Sequence, residues 1–144
     1  MDKFIYLQLP AGAQLPSLNF NGPFKAIICI EDDVTPDWRA KVSDWIVKAG
    51  CLYAMSWGRS CSAWDDSIDT ANLEAFNWHK TPDHAHVVTT WHDDEPLSEV
   101  IWFSIHAARH ATAEISKTLF LHIGQKTSKA EIDNMWNEVI NDSS

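Results

Sequence analysis

Four short segments of this chain carry the side chains best suited to chemistry. They are Glu31-Asp32-Asp33, the run from Trp57 through Arg59, Cys61 and Trp64 to Asp65, then Trp91-His92-Asp93-Asp94-Glu95, and last His122-Ile123-Gly124. One chemistry they allow is nucleophilic. Cys61 would attack, His92 or His122 would serve as base, and an acid would orient the base, so that Cys61, His92, Asp93 and Asp65 are the catalytic candidates. Cys61 sits near an expected helix start with Arg59 close by, and both lower a thiol pKa. Asp65 and Asp66 oppose that effect, and a cysteine is more often a small packed residue. A second chemistry is metal-assisted. Glu31 or Asp32 could share a hard divalent cation with Asp93 or Glu95, as some hydrolases and phosphoryl-transfer enzymes require. The third is recognition. Trp57, Arg59, Trp64 and Trp91, with Glu31, Asp32 and His122, could line a ligand pocket or anchor a partner.

Each of these has a plain structural competitor. Acids and hydroxyls belong at helix N-termini, where they cap free N–H groups and complement the helix dipole. Thr35, Asp65, Asp66 and Glu95 fit that role as well as a catalytic one. His106 and His110 are spaced to share a helix face, but no H-E-x-x-H pattern supports a zinc pair. No phosphate-binding glycine loop follows the first buried strand, where Glu and Asp stand instead.

The elements that must position these segments are legible. Lys25–Ile30 is an uninterrupted apolar run, the mark of a strand buried on both faces. Thr35-Pro36 opens a helix and Gly50 closes it. Leu52–Trp57, His86–Trp91 and Thr118–Ile123 read as further strands. Helices are expected from about Asp65 to Phe76, from Pro96 with an apolar stripe reaching Ala108, and after the capping box Ser128–Glu131. The alternation predicts a single compact doubly wound α/β domain of Rossmann-like or flavodoxin-like type. It has a four-stranded, mostly parallel sheet with helices on both faces. Phe4–Leu9 would add an edge strand, and residues 1–23 would form that strand and a loop, 24–140 the βα repeats and 141–144 a tail. In such sheets ligands bind beyond the carboxyl ends of the strands, and all four chemical segments fall there.

Composition narrows the partners. A chain of 144 residues with net charge −9 lacks the cationic surface that nucleic acid or an anionic membrane requires. The charge suits a basic protein partner or a cation at the rim. No segment approaches about 18 apolar residues. The first ten residues lack a signal-peptide cleavage pattern and read as a mature start. Three cysteines without metal-type spacing favour a reducing, cytoplasmic setting over a disulfide framework. Trp102 and Phe103 leave one large aromatic off the buried stripe, a hint of a dimer contact.

The run Gly50–Gly58, then Cys61, Trp64–Asp69 and Ala71–Phe76, resembles a family of small uncharacterised bacterial proteins carrying a domain of unknown function. Thr89–His92, Asp94–Val100 and Trp102-Phe103 carry the same resemblance, which spans roughly Phe24 to Gly124. It implies a bacterial or phage-associated source and brings no activity or cofactor with it. Two functions therefore compete. One is an acidic protein-binding, regulatory module of the immunity or antitoxin kind. The other is an enzyme with a carboxylate, histidine and cysteine site at the rim.

Overall fold

The computed structural model of the protein describes residues 4–142. The elements are β1 (Phe4–Leu9), β2 (Phe24–Ile30), α1 (Pro36–Ala49), β3 (Cys51–Gly58), α2 (Cys61–Ala75), β4 (Val88–His92), α3 (Leu97–His106), β5 (Lys117–Ile123) and α4 (Lys129–Asp142). The strands form one sheet in the order β1-β5-β2-β3-β4, and every neighbouring pair is parallel. The sheet thus has five strands, not four, because the N-terminal segment is a full member beside β5.

β2 lies between β5 and β3, and all seven of its residues are buried. Its side chains alternate between two cores. Ala26, Ile28 and Ile30 meet Trp38, Val42 and Ile46 of α1 and Trp64 and Ile68 of α2. Ile27 and Cys29 meet Val100 and Ile101 of α3 and Ile132 and Trp136 of α4. Each fully buried Ile of this kind contributes roughly 2 kcal/mol of transfer free energy. Helices therefore cover both faces. Among the described residues, no helix is long and apolar enough to cross a membrane.

The β1–β2 connection contains no helix. Residues 10–23 cross on the α1 face, where Leu15, Leu18 and Phe20 join the core together with Leu119 and Leu121 of β5. Two indoles of α1 hold this stretch in place. Trp38 Nε1 donates to the Ala13 carbonyl at 2.9 Å and Trp45 Nε1 to the Pro16 carbonyl at 2.7 Å. These bonds satisfy backbone groups that a helix would have satisfied internally.

Local signals explain most boundaries. The Thr35 hydroxyl accepts from the Trp38 N–H at 3.2 Å, Pro36 opens α1, and Gly50 ends it in a left-handed conformation at φ 108°. α2 begins at Cys61, four residues before the expected Asp65. Gly58 at φ 102° and Ser60 at φ 57° reverse the chain within three residues, leaving no room for a longer loop. β4 spans 88–92 instead of 86–91 because Asn72 captures the approach to it. The Asn72 amide donates to the Ala85 carbonyl at 3.1 Å and accepts from the Val87 N–H at 3.0 Å. α3 stops at His106, so His110 is not on its face. Its Nε2 lies 2.7 Å from the His86 carbonyl.

Candidate functional site

The sheet register places one residue from each strand on a common rung near the carboxyl ends. Gln8, His122, Cys29, Trp57 and His92 stand side by side across β1, β5, β2, β3 and β4. The rung faces the α3 and α4 side, since Cys29, Trp57 and Tyr6 belong to that core or its margin. β5 sits where the winding turns back. The chain leaves β1 and β2 toward the α1 face and leaves β5 toward α4. A crevice forms at such a reversal.

A hydrogen-bonded chain occupies that point. Glu31 Oε1 lies 2.5 Å from His122 Nε2, and His122 Nδ1 lies 2.6 Å from the Tyr6 hydroxyl. Tyr6 Oη accepts in turn from the Ser128 N–H, just ahead of α4, at 2.9 Å. The partners set the directions. A carboxylate only accepts, so Nε2 carries a hydrogen, and in the neutral ring Nδ1 then accepts from the Tyr6 O–H. His122 is 1% exposed while the Glu31 side chain is 54% exposed, so the chain runs from solvent into the core. Cys29 borders it. Its sulfur, a Glu31 oxygen and a His122 nitrogen all lie within 4.8 Å of one another. Burial, and then the Glu31 charge, push the Cys29 thiol up to about 12.

The β4 end of the rung is a second histidine–carboxylate pair. His92 Nδ1 bonds Glu95, its Nε2 lies 2.8 Å from the Thr90 hydroxyl, and its ring meets Phe103 at 5.3 Å. Trp57 Nε1 donates to the Glu95 carbonyl at 2.7 Å, which ties β3 to the loop before α3. Between the two ends, Arg59 donates to the Glu31 carbonyl at 3.2 Å and pairs with Asp33 at 3.6 Å. Asp32 accepts from Gln125 at 3.3 Å.

The Cys61 group does not join this rung. Cys61 and Trp64 are buried in the α1–α2 core, where the Trp64 ring packs edge-on against Trp38 at 6.4 Å. Burial raises the Cys61 thiol and the Asp93 charge adds to it, while nearby backbone N–H groups oppose them. The net shift is upward, against the activation that a helix start with Arg59 close by would give and in line with a packed cysteine. Asp93 and Glu95 belong to no cluster of three or more metal-type ligands among the described residues. Among the described residues, the groups able to hold a metal are Cys29–Glu31–His122 and Asp65–Asp66–Asp69. Trp91 is 53% exposed at the sheet edge.

Asp65 is buried, and its Oδ1 has no hydrogen-bond partner. Desolvation, then the Asp69 charge, raise its pKa above the ordinary 3.8. The folded state thus holds this proton more tightly than the unfolded state does. Asp65 favours folding most below its unfolded pKa, and that contribution is lost as pH rises through the folded value. Asp65→Asn should raise stability at neutral pH by about 1 kcal/mol and flatten this part of the pH profile. Urea unfolding between mildly acidic and neutral pH checks it, and a loss of stability at pH 7 would refute it.

Sequence reasoning singled out His122, Glu31, His92 and Trp57, and it passed over Tyr6, Gln8 and Cys29, which the structure places beside them. Cys29 and Glu31 had a usable signal, because residues two apart on a strand share a face. Tyr6 had none, since it reaches His122 across 116 positions. A mostly apolar hollow of about 400 Å³ also went unread. It opens at the amino end of the sheet between Gly50, Leu52, Phe76, His84 and Val87.

A family model described as "Domain of unknown function (DUF7684)" matches residues 4–139, a wider span than Phe24 to Gly124. No curated protein and no solved structure matches the chain.

Proposed function

The chain belongs to the DUF7684 family, a domain of unknown function, and we propose that it is a partner-binding regulatory module of the immunity or antitoxin kind. The observation that carries this reading is Trp91. It is an exposed indole on β4, the strand that ends the sheet. Acids bracket it. Asp93 and Asp94 follow it exposed, and Asp69 of α2 accepts from Thr89 of the same strand at 2.7 Å, with Asp66 beside it.

An edge strand offers unpaired N–H and C=O groups to an incoming strand. The fitting partner is an extended basic segment. Its backbone pairs with β4, an apolar side chain covers Trp91, and its Lys or Arg residues meet the acids. Charge complementarity speeds the encounter, and the buried aromatic supplies the holding energy. The reading keeps the domain among doubly wound α/β folds, supported by helices on both faces and the turnback at β5. A reducing, cytoplasmic setting suits its three free cysteines. A dimer contact would fall on Trp102 alone, since Phe103 packs against Tyr53 and His92.

Titration with an alternating Lys/Val peptide, followed by amide NMR, tests the reading. Shifts should concentrate at residues 88–92 and weaken with salt, and Trp91→Ala should cost about tenfold in affinity. Shifts elsewhere, or none, would sink it. A second reading, an enzyme with its site at the rim, has one observation in its favour: the Glu31–His122–Tyr6 chain at the turnback.

A further inference from the structure

We infer that Cys29, Glu31 and His122 form a site for a zinc-type transition ion at the carboxyl ends of β2 and β5. The inference does not depend on the binding-module reading, which concerns the outer edge of β4.

The donor set is the first argument. A thiol sulfur, a carboxylate oxygen and an imidazole nitrogen lie within 4.8 Å of one another. One ion can bond three atoms at that spacing after small rotations, because Zn–S is about 2.3 Å and Zn–N or Zn–O about 2.0–2.2 Å. Mixed sulfur, nitrogen and oxygen donors suit Zn²⁺ far better than Mg²⁺ or Ca²⁺, which take oxygen. A thiolate and a carboxylate together cancel the charge of a divalent ion.

The second argument is space. Gly124 does not have a backbone conformation that demands glycine, yet a Cβ there would lie 2.9 Å from His122 Nε2. The ring cannot swing away, since it is buried and held by Tyr6. Glycine at 124 therefore keeps the flank of one nitrogen clear, and it is the nitrogen that faces Glu31.

The third argument is the surroundings. Ligand histidines are oriented by a partner on their other nitrogen, and Tyr6 provides one for Nδ1. The sulfur and imidazole are buried on two hydrogen-bonded strands, which fixes them, while the half-exposed Glu31 gives an ion its way in. On binding, the Cys29 S–H bond breaks, sulfur bonds the metal and the proton passes to water. The hydrogen on His122 moves from Nε2 to Nδ1, which then donates to Tyr6 Oη, and the hydroxyl hydrogen of the half-buried Tyr6 turns away from the ring toward solvent. With three protein ligands, the ion keeps a fourth position open for water or substrate, the arrangement of catalytic rather than structural zinc.

Cobalt tests this. The protein is stripped with a chelator and titrated with Co²⁺ while absorption is recorded. A thiolate-to-cobalt charge-transfer band should grow to one equivalent and vanish when Zn²⁺ is added. Cys29→Ser should abolish the band, and the double variant Cys51→Ala/Cys61→Ala should keep it. Glu31→Gln, at a half-exposed position, should weaken binding at least tenfold with an unchanged circular dichroism spectrum. Tyr6→Phe should weaken it by about 10–100-fold. Gly124→Ala should do likewise, and it serves where Cys29→Ser does not fold. No band with millimolar Co²⁺, or a band that survives Cys29→Ser, would overturn the assignment.

Discussion

Gly58→Ala should cost the fold about 4 kcal/mol, the largest loss expected from adding one methyl group anywhere in the rim. Two effects add. The residue sits at φ 102°, a region that strains any side chain. The new Cβ would also run into the Ile30 carbonyl oxygen, with the Ile30 carbon at 3.2 Å and nitrogen at 3.3 Å. That carbonyl already accepts the Arg59 N–H at 2.9 Å, so it cannot rotate away freely. β2 and β3 would have to part at their carboxyl ends, where Ile30 and Gly58 are register partners. A domain of this size has only about 5–15 kcal/mol in hand. Thermal unfolding should move down by roughly 10 °C, and the urea midpoint should fall with little change in slope. A loss under about 1 kcal/mol would mean that the two strand ends are free to separate.

Trp64→Ala should cost nearly as much, about 4 kcal/mol, through the cavity it leaves. Trp64 is 1% exposed and packs against Trp38 among Ile28, Ile30 and Ile68. Trp91→Ala is its counterpart. It removes a half-exposed indole at the sheet edge and should change stability by no more than about 0.5 kcal/mol. Chemical denaturation of the two variants side by side separates a core tryptophan from a surface one. If Trp64→Ala kept its stability and lost peptide binding instead, Trp64 would have to be moved back among the recognition residues.

These two tryptophans mark how far the sequence could be read. Local features were legible because local physics sets them. Thr35-Pro36 and Gly50 bounded α1, and the apolar run of β2 announced a strand buried on both faces. The start of α2 was misplaced because two positive-φ residues, Gly58 and Ser60, compress the turn, and nothing in Ser60 signals that conformation. The rim was recognised as a place but not as an arrangement. Strand order decides which side chains meet. Placing β5 between β1 and β2 brings Tyr6, Cys29 and Glu31 to His122 and leaves Cys61 and Trp64 on the opposite face. Only an edge position for β4 leaves Trp91 open.

The helix-free crossover over residues 10–23 bears on the order of assembly. Among the described residues β1 is the first strand and its partner β5 the last, and Phe4 pairs with Thr118. The crossover lies against α1 and is tethered there by Trp38 and Trp45. It can settle once α1 is formed, while β1 beyond it still has no sheet neighbour. Contacts so distant in sequence form late, because closing the loop costs entropy before any pairing repays it. The pairing of β1 with β5 sets Tyr6 against His122, so this part of the rim depends on the strand contact most distant in sequence among the described residues.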